Sequence, residues 1–72
     1  MRQVPYKHHL ILKAYIDQDR DGDMIVIVET TAALYPNEID FDISIRESIE
    51  REWIRLFHEH QCAGGKLIRV KK

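Results

Sequence analysis

Residues 17–23 read Asp17-Gln18-Asp19-Arg20-Asp21-Gly22-Asp23, four carboxylates and a glycine in seven positions. Oxygen ligands at alternate positions of a tight loop suit a hard cation, and Asp17, Asp19, Asp21 and Gly22 match the opening of a calcium loop. The match then fails. Ile25 stands at the ninth position, Val28 at the twelfth, and Glu29 falls one residue too late. The flanking runs read as strands rather than helices. Asp-Gly between apolar strands is also ordinary hairpin chemistry, so we read residues 17–23 as a solvated hairpin tip and expect no metal there.

Four histidines and one cysteine are the other ligand types present. His8 and His9 are adjacent on an expected strand and point to opposite faces. His58 and Cys62 are four apart and would share a helix face, half of a zinc site if a strand histidine joined them. No paired zinc spacing accompanies them, and the expectation is a half-exposed Cys62 near a helix end with His60 at the margin of the core. A small nuclease could use His8 or His9 as a general base beside a basic residue. Phosphate loop, nucleophile elbow and paired carboxylates are all missing from the sequence, so no catalytic residue and no cofactor are expected.

Basic residues gather at the two ends. Residues 1–16 hold Arg2, Lys7 and Lys13 without an acid, and residues 63–72 hold Lys66, Arg69, Lys71 and Lys72. All twelve acids lie between them. If the fold joined the ends, Lys7, His9, Lys13, Arg69 and Lys71 could line a face that neutralises nucleic-acid phosphates. The acidic middle would oppose it.

These groups must be carried by a small frame. Seventy-two residues make one domain, 1–72, near the lower size at which an apolar core outweighs chain entropy. A content of 44% hydrophobic residues with two prolines fits a folded chain. No apolar run reaches the ~20 residues of a membrane span. The amino-terminal residues lack the apolar stretch of a signal peptide, and a single cysteine fits a reducing compartment, so a cytoplasmic location is expected.

Residues 6–16 alternate, with Leu10, Leu12, Ala14 and Ile16 on one side and Lys7, His9 and Lys13 on the other, which predicts a half-buried strand. Residues 24–28, Met24-Ile25-Val26-Ile27-Val28, are apolar throughout and predict a central strand. Residues 39–43 alternate Ile39, Phe41 and Ile43 with acids and predict a third. Ser44-Ile45-Arg46-Glu47 fits a capping box. Ile45, Ile49, Trp53, Leu56, Phe57 and His60 then recur at helical spacing, and Gly64-Gly65 is expected to end the helix. Residues 66–71 predict a last strand.

The expected fold is α+β, in the order β-β-β-α-β, a mostly antiparallel sheet covered on one face by one amphipathic helix. The last strand could lie outside the third or cross to flank the first. One helix covers one face, yet residues 24–28 are apolar on both. The second face is covered either by another chain or by residues 32–37 folding back, where Ala33, Leu34 and Tyr35 could cap a small patch. On the first reading Met24, Val26 and Val28 are expected to bind a protein partner. The functional expectation is a non-enzymatic adaptor or inhibitor that forms a homodimer or other homo-oligomer and has no membrane role. Nucleic-acid binding by the basic ends is the alternative.

Overall fold

Asp19-Arg20-Asp21-Gly22 closes the central hairpin. In a computed structural model that describes residues 2–31 and 43–70, the Gly22 N–H donates to the Asp19 carbonyl at 3.1 Å and Asp19 N–H to the Asp23 carbonyl at 2.9 Å. Gly22 has φ 84°, the left-handed conformation that follows the turn in a three-residue hairpin loop. The Asp19 carboxylate accepts from the N–H groups of Asp21 and Asp23, both at 2.9 Å. These carboxylate bonds hold the tip in shape.

The sheet has four strands in the order β1-β2-β3-β4: β1 (Arg2–Gln3), β2 (Ile11–Gln18), β3 (Met24–Thr30) and β4 (Gly64–Arg69). The first three are antiparallel neighbours, and β4 runs parallel to β3. Helix α1 (Ile43–Glu59) supplies the crossover between that parallel pair. The α+β class and the β-β-β-α-β order hold, with two differences in the strands. The strand expected over residues 39–43 lies outside the described residues except at Ile43, which starts the helix. A two-residue strand at the amino terminus, too short to show any period, is the first of the three. Among the described residues the last strand pairs with β3, the strand of residues 24–30, and does not flank the strand of residues 11–18. The other expected neighbour, residues 39–43, lies outside the described residues but for Ile43.

One cluster forms the core: Val4, Ile11, Ala14, Ile16, Val26, Val28, Ile49 and Leu56, with Leu10, Ile45, Trp53, Phe57, Cys62 and Leu67 packed against it. The alternation of β2 breaks at a bulge between Ile11 and Lys13. Two residues then oppose one, so the phase shifts, and Ile11 enters the core while Leu12 is left 43% exposed. Tyr6 O–H donates to the Leu12 carbonyl at 3.0 Å across this irregularity.

Helix α1 begins at Ile43, which places Ser44 inside its first turn; helix ends shift by a residue or two with the criterion used. Its carboxyl end departs from expectation more clearly. The left-handed residue is Gln61, φ 56°, and not a glycine. Cys62 N–H donates to the Phe57 carbonyl at 2.8 Å and Gln61 N–H to His58 at 3.2 Å, the paired bonds of a Schellman terminus. Cys62 therefore lies beyond the helix and shares no helix face with His58.

Gly64 and Gly65 belong to β4. Gly65 is there for space: a Cβ on it would lie 1.9 Å from Trp53 Nε1. The indole sits against the bare strand, edge-on to Phe57 with ring centroids 5.4 Å apart. Gly65→Ala is expected to cost about 1–3 kcal/mol as the ring is forced aside. Gly64→Ala, which meets nothing within 4 Å, should change stability by less than about 0.5 kcal/mol. Thermal melts of the two variants give the comparison.

Candidate functional site

The register fixes what the two sheet faces carry. Ala14 pairs with Val28 and Val28 with Leu67, while Ile16 pairs with Val26 and Val26 with Gly65, so this set lies under the helix. The alternate set faces away. Tyr15, Ile27 and Lys66 form one row across three strands, Lys13, Glu29 and Ile68 a second, and Asp17, Ile25 and Gly64 a third. Tyr15, Ile25, Ile27 and Ile68 are half-buried and outside the core cluster. Among the described residues, α1 is the one helix, and it packs on the other face.

This placement corrects the partner-binding set. Val26 and Val28 are 0% exposed within the chain and cannot meet a partner. Strand alternation sends one half of an apolar run inward, and the inward half is the one containing Val26 and Val28. The outward half is Ile25 and Ile27. Met24, 44% exposed, sits at the strand end, beside a cavity of about 450 Å³ that Ile16, Asp17, His60 and Gln61 also line.

The face away from the helix, open among the described residues, is partly apolar and charged in pairs. The Lys13 ammonium lies 5.1 Å from the centre of the Tyr15 ring. Burial, then the carboxylates of Glu29 and Asp17, push the Tyr15 hydroxyl above its usual range. Lys13 stands directly across from Glu29, an opposite-charge cross-strand pair worth about 0.2–1 kcal/mol.

The second surface is a polar cleft of about 300 Å³ on the helix side, lined by Lys7, His8, Ser48, Arg51, Glu52 and Arg55. Ser48, Arg51, Glu52 and Arg55 are spaced i, i+3, i+4, i+7 and so form one stripe of α1. Glu52, whose side chain is 9% exposed, organises the cleft. It accepts from Arg55 Nε at 2.5 Å and Nη2 at 3.0 Å, and from the Lys7 backbone N–H, which ties the amino-terminal segment to the helix. Arg55 Nη1 donates to Glu59. Leu10 N–H donates to His8 Nδ1 at 3.1 Å, which leaves the ring proton of neutral His8 on Nε2. Burial, then His9, lower the His8 pKa, and Glu52 opposes them.

The Arg55 hydrogen bonds hold the Glu52 carboxyl below the usual carboxylate range; burial opposes them, and the Lys7 N–H adds to them. With its folded pKa below the unfolded value, Glu52 stabilises the fold fully above about pH 4.5 and loses that contribution as the pH falls through the lower folded value. Denaturant midpoints of the wild type should therefore fall between pH 6 and pH 3 by more than those of Glu52→Gln, whose own midpoint is lower at pH 6. Equal losses in the two proteins would show that this contact does not couple to folding.

The other sequence candidates are dispersed. Arg2 lies in β1 at one edge of the described sheet and Arg69 in β4 at the opposite edge, so these two are not brought together. Lys7 borders the helix-side cleft, Lys13 is on the open face, His9 is exposed, and Lys71 is outside the described residues. His8 and His9 stack with centroids 4.9 Å apart. Burial pushes the Cys62 thiol up, which opposes thiolate chemistry, although Arg2 acts the other way. Among the described residues, the one group of three or more close ligand types is Asp19, Asp21 and Asp23, with ligand atoms within 4.8 Å. No helix among those residues is long and apolar enough to cross a membrane.

Compared with family models, curated proteins and solved structures, the chain matches none.

Proposed function

We propose that this chain is a small non-enzymatic protein-binding module, an adaptor or inhibitor, that pairs with a second copy of itself through the open face of its sheet. One observation carries the reading: Tyr15, Ile25, Ile27 and Ile68 form a half-buried patch outside the core, on the face opposite the helix. A two-fold axis running along the strands between β2 and β3 would bring Tyr15 over the other copy's Ile27. It would also bring Lys13 over the other copy's Glu29. Under that axis the face is its own complement, the requirement of an isologous contact.

The contact is small. Four strands about 4.8 Å apart and seven residues rising about 3.3 Å each span roughly 14 Å by 23 Å. That is below the ~800 Å² per partner of a standard stable interface, so association is weak and concentration-dependent. A reducing, cytoplasmic setting is supported by the lone Cys62. The nucleic-acid alternative is less favoured, because Arg2 and Arg69 lie at opposite edges of the described sheet.

Sedimentation equilibrium from about 10 μM to about 1 mM, the range in which a weak interface forms, tests the reading. The average mass should rise from 8.6 kDa toward twice that value. Ile27→Lys should stay at 8.6 kDa with an unchanged circular dichroism spectrum. A wild type that remains monomeric across the range contradicts self-pairing.

A further inference from the structure

We infer that the cleft between the amino-terminal segment and helix α1 is a binding site for a phosphoryl dianion, either inorganic phosphate or the terminal group of a phosphate monoester. The argument is an inventory of donors and acceptors. Glu52 is the one acidic residue lining the cleft, and its two oxygens are occupied by Arg55 and the Lys7 N–H. The His8 acceptor, Nδ1, is occupied by Leu10 N–H. What is left is almost entirely donors: the Lys7 ammonium, the Arg51 guanidinium, two N–H groups of Arg55 beyond the three it gives to Glu52 and Glu59, His8 Nε2–H, and the Ser48 hydroxyl.

Lys7, Arg51 and Arg55 against Glu52 leave a surplus of two positive charges among the lining residues, which Glu59, paired with Arg55 from outside the lining, reduces to one. Lys7 and Arg51 form no ion pair among the described residues. An anion with several acceptors and no donor is complementary to this set of donors, and a phosphoryl dianion meets both conditions. The Glu52 bonds to Arg55 hold one guanidinium in place before a ligand arrives, which lowers the ordering cost of binding. The stripe bearing Ser48, Arg51 and Arg55 is on a helix, a rigid carrier. The site lies on the helix side, away from the open sheet face, so it does not depend on pairing of the chain.

Titration of the full chain with inorganic phosphate, phenyl phosphate and dimethyl phosphate, at ionic strength held constant with sodium chloride, is the test. The readout is the amide and arginine Nε–H shifts in nitrogen-15 spectra. Saturable shifts confined to Lys7, His8, Ser48, Arg51 and Arg55 are expected with the first two probes, and far weaker ones with the singly charged diester. A tighter phenyl phosphate constant assigns the site to a monoester, and a tighter phosphate constant to the free ion. Arg51→Gln, an exposed position, should weaken binding at least about tenfold without lowering the melting temperature. Lys66→Gln, which removes the same charge from the opposite face, should leave it unchanged. Shifts that do not saturate, that chloride reproduces, or that survive Arg51→Gln overturn the proposal. So does binding seen with duplex DNA and not with the small phosphates.

Discussion

Val26→Lys is expected to leave the chain unfolded at 25 °C, whereas Ile27→Lys, one position along, is expected to fold normally. Val26 is fully buried against the helix side, between Ile16 on β2 and Gly65 on β4. A lysine there must bury an unpaired ammonium or turn it out through the packing, and either costs several kcal/mol. A domain of this size has about 3–5 kcal/mol in total. Ile27 points from the opposite face, where a lysine head reaches solvent. Far-UV circular dichroism of the two variants decides the matter. A folded Val26→Lys would mean that the strand faces are assigned the wrong way round.

Leu56→Ala should cost about 2–5 kcal/mol, because the side chain is 0% exposed and its loss leaves a cavity in the core. Leu56 also helps seat the last turns of α1, just before the Schellman bonds from Gln61 and Cys62. Urea denaturation should show a midpoint lowered in proportion, with an unchanged slope. A loss under about 1 kcal/mol would indicate that the helix is not held by this contact.

The sequence made some elements legible and hid others for identifiable reasons. The long helix could be read because Ile45, Ile49, Trp53, Leu56 and Phe57 repeat over four turns. The hairpin could be read because Asp-Gly separates two apolar runs. The bulge at Leu12 could not, since an inserted residue leaves the composition of a strand unchanged and alters only its phase. Strand β1 has two residues and thus no period at all. Gly64-Gly65 resembles a helix stop, and its true role, room for Trp53 at Gly65, depends on a contact across the crossover.

The residues of the two candidate surfaces divide in the same way. A patch on the strand of residues 24–30 was legible, but not which half faced outward, because every position of residues 24–28 is apolar. Only the pairing of Val26 and Val28 with Ile16 and Ala14 selects Ile25 and Ile27. The cleft was half legible. Ser48, Arg51, Glu52 and Arg55 at i, i+3, i+4 and i+7 mark one stripe of the helix. Lys7 and His8 are about forty residues earlier, and only the Lys7 N–H bond to Glu52 brings them to it.

The most direct test of the self-pairing face exchanges its charges between two variants. Lys13→Glu places two acids across the expected two-fold, and Glu29→Lys places two bases there. Each variant alone brings like charges together, at a cost of several kcal/mol to pairing. Mixed in equal amounts, every Lys13–Glu29 contact is restored with opposite signs. With both variants shown to be folded by circular dichroism, sedimentation equilibrium should give 8.6 kDa for each alone and a mass approaching twice that for the mixture. A mixture that stays at 8.6 kDa, or single variants that dimerise as well as the wild type, would contradict pairing through the open face of the sheet.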